Sequence, residues 1–204
     1  MALANYTDLQ AAAAAWLHRT DLAAVIIDFI TLAEKRIGGD LDARLQDSIV
    51  TLSTVASTIT VASPTDVINI RSLTLQSSPN QVLDYLTPDQ FNLQYAFGDT
   101  GKPRMFTVVG TNIYLGPTPD AVYSLQCMYK TTIPALSVGT PTNWLMTNAP
   151  QVYLFATLCA SVMYTRDEKS LPGWESRYAE AIKSVNFQDW FAGSTMRVRS
   201  DVKL

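Results

Sequence analysis

Charge is what this sequence is shortest of. Asp, Glu, Lys and Arg make up 16% of its 204 residues, against about a quarter in an average soluble domain. None of them falls between Lys130 and Arg166. The net charge of -3 and pI near 5.0 also lack the cationic footprint of a free-standing nucleic-acid binder. Histidine and cysteine are nearly missing. His18, Cys127 and Cys159 cannot supply four zinc ligands at a recognisable spacing. The two cysteines form no CxxC pair and read as buried free thiols. A Ser-His-Asp relay would have to use His18, at the end of an alanine-rich helix, where a surface or capping role fits better. No GxSxG elbow, P-loop or GxGxxG occurs. Asp40 and Asp42 beside Gly38-Gly39 offer too few oxygens for an EF-hand loop and read as a solvated turn. Catalytic, cofactor and metal sites are therefore expected to be absent. So is a targeting segment: no Lys or Arg precedes Arg19, and Asp8 and Gln10 interrupt the apolar start. The chain is expected to stay in the compartment where it is made.

What the sequence does have is a long uncharged stretch. Pro134, Pro141 and Pro150 divide it, and proline breaks a helix interior. The uninterrupted part, Pro150 to Thr165, is shorter than the roughly 20 apolar residues that a bilayer requires. It predicts a buried helix with Asn148 as N-cap and Pro150 in the first turn. One face carries Val152, Phe155, Ala156, Cys159, Val162 and Met163, and the other carries Tyr153, Leu154, Ala160 and Tyr164. A helix apolar nearly all round must be covered nearly all round, either by its own domain or by a neighbouring subunit. Trp144, Tyr153, Phe155, Tyr164, Trp174 and Tyr178 are the candidate core or subunit-interface residues. Together with Tyr123 and Tyr129 they fall at core spacing without interleaved basic residues, which favours packing over base stacking.

Periodicity orders the rest. Thr7-Asp8-Leu9-Gln10 has the form of a capping box opening a helix that runs to about His18. A second helix, from about Thr20, buries the stripe Leu22, Val25, Ile26, Phe29, Ile30, Ala33 and Ile37, with Glu34, Lys35 and Arg36 outward and Gly38-Gly39 as its stop. From Ser48 to about Thr132 the texture is Val, Ile, Thr and Ser in short alternations with turns at Ser63-Pro64 and Ser77-Pro79. "QVLDYL" reads as a strand, and Thr87-Pro88-Asp89-Gln90 opens a short helix to Tyr95. Arg104–Val109 and Asn112–Leu115 form a hairpin at Gly110-Thr111. A strand with Tyr123, Leu125, Cys127 and Tyr129 on one face should complete a three-stranded meander. A last helix carries Trp174, Tyr178, Ala181, Ile182 and Val185. The tail "GSTMRVRSDVKL" reads as extended until something binds it.

The expected class is α+β: terminal helices packed as a bundle, with an antiparallel β-rich lobe inserted. The expected segments are 1–47 and 133–192 for the bundle, 48–132 for the lobe and 193–204 for the tail. A low-charge, aromatic-rich chain without a site suits a structural or assembly protein.

Several motifs, in order, carry a family likeness. They are Gly101-Lys102-Pro103, Pro117-Thr118-Pro119-Asp120, the tyrosine-rich strand Tyr123 to Tyr129, Asn143-Trp144-Leu145 with Pro150, and Trp174 with Tyr178 and Ala181. With the opening "YTDLQ…FITLAEKRI", this series resembles the head-to-tail adaptor (connector) proteins of tailed bacteriophages. The likeness covers most of the chain; from Ser48 to Tyr95 it is one of texture only. The resemblance implies a virion component, made in the host cytoplasm, that forms a homo-oligomeric ring of about twelve subunits. Its partners would be the portal protein and tail or nozzle proteins, with double-stranded DNA passing non-specifically through the lumen and no membrane contact. Met196, Arg197, Val198, Arg199 and Lys203 in the tail are the candidate portal contacts. A tail terminator or head-completion protein is the alternative, and a small hydrolase built on His18 a more distant one.

Overall fold

The computed structural model describes residues 3–95 and 98–192, with side chains to residue 187. In chain order the elements begin with α1 (Tyr6–Trp16), α2 (Ala23–Asp40) and a 3-10 turn (Arg44–Gln46). Then come β1 (Asp47–Ser53), β2 (Thr60–Ala62), β3 (Val67–Gln76), β4 (Gln81–Val82), β5 (Asp84–Tyr85) and α3 (Pro88–Tyr95). They are followed by β6 (Thr100–Gly101), β7 (Met105–Val109), β8 (Asn112–Gly116), β9 (Thr118–Pro119) and β10 (Ser124–Thr131). The last elements are α4 (Trp144–Asn148), α5 (Pro150–Thr165) and α6 (Leu171–Ala192). The fold is α+β. It divides into a helical unit, Met1–Arg44 with Ile133–Leu204, and a β unit, Leu45–Thr132.

In the helical unit the predicted α2 stripe is the core side of that helix: Leu22, Ile26, Phe29, Ile30, Ala33 and Ile37 are all buried. They pack with Leu9, Ala12 and Ala13 of α1 and with Leu145, Val152, Tyr153, Ala156 and Leu158 of α4 and α5. The helix ends differ from the sequence reading. Asn5, not Thr7, caps α1, its side chain accepting from Asp8 N–H at 2.9 Å while the Asp8 carboxylate reaches back to Ala4 N–H at 3.2 Å. The box is thus shifted two residues towards the N-terminus. His18 closes α1 at φ 51°, with His18 N–H on Ala15 O and Arg19 N–H on Ala14 O, the paired bonds of a Schellman end. Gly38-Gly39 does not stop α2, which continues to Asp40. Two glycines weaken a helix by about 1 kcal/mol each relative to alanine. Here Tyr178 Oη–H donates to Asp40 Oδ2 at 2.8 Å, Asn186 Nδ2–H donates to Asp40 O at 3.2 Å, and Leu41 is buried. Tertiary contacts hold the last turn against its propensity.

The uncharged segment also breaks differently. Asn143 caps the short α4, and Asn148 ends it by donating back to Trp144 O at 2.8 Å. The N-cap of α5 is Ala149, which has no side-chain bond to offer. A residue before proline is driven from the helical region, and Ala149 sits at φ -144° ahead of Pro150.

In the β unit two four-stranded sheets, β1-β10-β3-β4 and β2-β8-β7-β5, share one core of Leu73, Leu75, Phe106, Ile113, Leu115, Leu125 and Cys127, with Val61, Leu83 and Tyr129. β6 and β9 form a separate parallel pair. The predicted hairpin is β7–β8, turning at Gly110 with φ 62°, which glycine adopts without strain. The expected meander does not form. β10 leaves the hairpin and runs antiparallel between β1 and β3. Pro117 and Pro119 cannot donate ladder bonds, and the segment between hairpin and β10 pairs with β6 instead. The predicted alternation in β10 holds: Leu125, Cys127 and Tyr129 are buried and Met128 exposed. "QVLDYL" is two strands, one in each sheet. α3 begins as expected, with Gln90 N–H on Thr87 Oγ1 at 3.4 Å. It lies so close to β8 that a Cβ at Gly116 would meet the Tyr95 ring at 2.6 Å and the Phe91 ring at 3.0 Å.

Candidate functional site

The uncharged run is mostly covered within its own unit. Leu136, Leu145, Met146, Val152, Tyr153, Leu154, Ala156, Leu158, Cys159 and Val162 are buried. Cover fails at the end of α5, where Met163 is 90% and Tyr164 56% exposed. Tyr164 still makes an edge contact with Phe29 at 5.6 Å.

Tyr164 apart, the candidate aromatic residues separate into three kinds. Tyr153 and Tyr178 are core residues. Trp144 is half-buried at the start of α4. Phe155 and Trp174 stack at 6.3 Å and are joined by Trp16, 6.0 Å from Phe155, 5.5 Å from Trp174 and 42% exposed. Arg177 lies 5.9 Å over the Phe155 ring, within cation–π range. The sequence reading missed Trp16. Its signal was a tryptophan at the outer end of an alanine helix, where small neighbours leave room for rings from α5 and α6.

A cleft of about 760 Å³ adjoins this cluster, lined in part by Trp16, His18, Arg19, Asp167, Ser170 and Trp174. It gathers a histidine, an acid and a hydroxyl, but not as a relay. Ser170 Oγ–H donates directly to Asp167 Oδ2 at 2.6 Å, whereas a nucleophile needs the base between itself and the acid. Arg19 is engaged with Asp21 in two bonds of 2.7 Å. Among the described residues no group of three or more His, Cys, Asp or Glu is placed to hold a metal ion, and no helix is long and apolar enough to cross a membrane. Cys127 and Cys159 are free and buried, and burial pushes the Cys159 thiol up to about 11.

Two polar clamps fix the helices that carry these rings. Arg36 makes a bidentate pair with Glu175 at 2.9 and 2.6 Å and sits 4.3 Å over the Tyr178 ring. Its bond to Arg36 holds the Glu175 carboxyl below the usual range. Burial, then the bond to Asp40, pushes the Tyr178 hydroxyl up. In the second clamp Asn143 Oδ1 accepts from Met146 N–H at 2.8 Å while Asn143 Nδ2 donates to Pro134 O at 2.9 Å and Tyr153 Oη at 2.7 Å. Burial pushes the Tyr153 hydroxyl up to about 12. So of the three charges expected outward on α2, Glu34 and Arg36 are half-buried and bonded, and only Lys35 is exposed.

Glu34 Oε1 accepts from the buried Leu136 N–H at 2.6 Å, and burial raises its carboxyl above the ordinary 4.5. Folded Glu34 therefore keeps its proton to higher pH than unfolded Glu34, and its ionisation costs stability as pH rises from about 4.5 through the raised value. Glu34→Gln keeps the acceptor and removes the charge. Urea midpoints between pH ~4 and ~7 are expected to lose this downward contribution in the variant and to match or exceed the parent at neutral pH. Parallel profiles for the two chains would show that Glu34 is not its source.

The tail residues Met196, Arg197, Val198, Arg199 and Lys203 lie outside the described residues. Compared with known proteins, residues 4–200 match the family model of the SU10 adaptor protein. No curated protein matches the chain.

Proposed function

Because the chain belongs to the SU10 adaptor protein family, a family of phage structural adaptor proteins, we propose that it is the head-to-tail adaptor of a tailed phage. In this role it forms a ring of about twelve copies beneath the portal, extends the DNA channel and presents the platform to which tail or nozzle proteins attach. The observation that carries this is the extent of the match, which takes in both units and reaches into the tail. Two further features support it. Trp16, Met163 and Tyr164 in the helical unit and Val55, Val82 and Tyr85 in the β unit are apolar side chains exposed on a single copy, which subunits in a closed ring can cover for one another. The chain is acidic, and a strongly basic lumen would hold passing DNA by its phosphates. Met196, Arg197, Val198, Arg199 and Lys203 supply the portal contact.

Mass photometry of the chain, alone and with its cognate portal ring, tests both parts. The portal peak is expected to gain about twelve copies of the 22.4 kDa chain. Deleting residues 193–204 is expected to abolish that gain and leave the circular dichroism spectrum unchanged. A portal peak that does not move overturns the adaptor role, and a free ring would then point to a tail terminator or head-completion part. A deletion variant that binds normally overturns the role of the tail alone.

A further inference from the structure

Two strand edges in the β unit border one groove, and each is paired over only part of its length. β10 pairs with β3 from Val67 to Gln76. On the other edge of β3, β4 pairs only at Thr74 and Leu75, followed by Leu83 N–H on Leu73 O at 2.8 Å. Among the described residues no strand lies along that edge from 67 to 72. β7 is paired with β8 throughout, but β5 meets its other edge only at Met105 and Phe106. The groove between them has a volume of about 500 Å³, and its lining includes Ile68, Ile70, Val82, Tyr85, Phe106 and Val108. Ile68 is 44%, Val82 62% and Tyr85 57% exposed.

An open edge beside apolar side chains invites another strand, and proteins commonly blunt such edges with charge, proline or a covering segment. The one charged residue between 67 and 72 is Arg71, and Asp47 neutralises it at 2.7 Å. A covering segment is therefore the missing element, and the sequence contains one of the right pattern. Beyond α6, Met196, Val198, Val202 and Leu204 alternate with Arg197, Arg199, Asp201 and Lys203, broken only by Ser200 on the apolar side. Period two with one apolar and one charged face is the pattern of a strand laid on a sheet. Residues 193–204 reach about 40 Å when extended.

We propose that residues 195–204 of one copy add as a strand to the open β3 edge of a second copy. Met196, Val198, Val202 and Leu204 fill the groove, and Arg197, Arg199 and Lys203 face outward, free to meet the portal. Main-chain bonds supply affinity and alternate side chains supply specificity, as in other strand additions. The proposal rests on the ring-forming adaptor role and makes each neighbour hold the next.

The test uses two full-length preparations, one with Ile68→Cys and one with Val198→Cys, mixed, assembled on the cognate portal and mildly oxidised. The native cysteines are buried. Disulfide-linked dimers are expected to form at least about tenfold faster than when Ile27→Cys replaces Ile68→Cys, because docking raises the effective thiol concentration. Ile27 is exposed to the same degree as Ile68 but belongs to the helical unit. Portal-bound multimers that link no faster than this control overturn the strand exchange and leave the adaptor role standing. If the portal recruits no chain, both fall. A chain carrying both cysteines that links only within itself shows that a second copy is the wrong occupant.

Discussion

Asn143→Ala is expected to cost about 2–4 kcal/mol of folding stability, far more than a half-buried polar side chain usually contributes. Three bonds leave together. Met146 N–H loses its cap, Pro134 O loses a donor, and Tyr153 Oη is stranded in the core, where it is 1% exposed. Cap loss alone costs about 1 kcal/mol, and an unsatisfied buried hydroxyl about 1–3. Urea unfolding of the two single variants and of the double variant with Tyr153→Phe separates these contributions. Tyr153→Phe should cost about 1 kcal/mol in the parent and recover about 1–3 kcal/mol once Asn143 is gone, because it removes the stranded hydroxyl. Additive costs would mean that the Asn143–Tyr153 bond carries no coupling and that the loss lies in the cap.

Leu125→Ala is expected to be still more damaging, at about 3–5 kcal/mol. Among the described residues β10 is the only strand in its sheet flanked by two long partners, and near its start Leu125 stands in register between Leu52 of β1 and Leu75 of β3. Leu125 and Leu75 are both 0% exposed. Such a site collapses poorly when emptied, so the cavity adds to the lost transfer energy. The loss should also be local. Trp16, Trp144, Trp174 and Trp190 all belong to the helical unit, so tryptophan emission monitors that unit alone. The variant is expected to lose strand circular dichroism at lower urea while the emission midpoint stays within experimental error of the parent. If both probes shift by the same amount, the chain unfolds as one cooperative body and the independence of the units is refuted.

Patterns that depend on a single element were legible in the sequence, and those set by competition between elements were not. The α2 stripe, the buried side of β10, the β7–β8 hairpin and the start of α3 follow from periodicity and turn chemistry, which belong to a few adjacent residues. The helix caps were misplaced because Thr7 and Asn148 are competent cap residues, and nothing local ranks them below Asn5 and Asn143. What selects Asn143 is its second role against Tyr153, ten residues on. Gly38-Gly39 failed as a stop because Tyr178 and Asn186, on α6, hold Asp40 in place. The meander failed because strand order is decided by which edges are free. Of the candidate site, Phe155 and Trp174 were named without their third ring. Trp16 is remote in sequence, and although the alanines around it leave room for rings, nothing local says which rings enter it. The groove beside β3 had no sequence signature at all, since it consists of strand edges that are only partly paired among the described residues.

The way the β unit is spliced into the chain has a consequence for descent. Asp47 and Lys130, at its two ends, are opposite partners in one antiparallel ladder, so the segment leaves and re-enters at neighbouring points. A cassette with adjoining ends can be shortened, enlarged or exchanged by recombination without moving the chain on either side of it. Selection on what an assembly must fit can then act on residues 47–130 while the helices that frame them are kept unchanged.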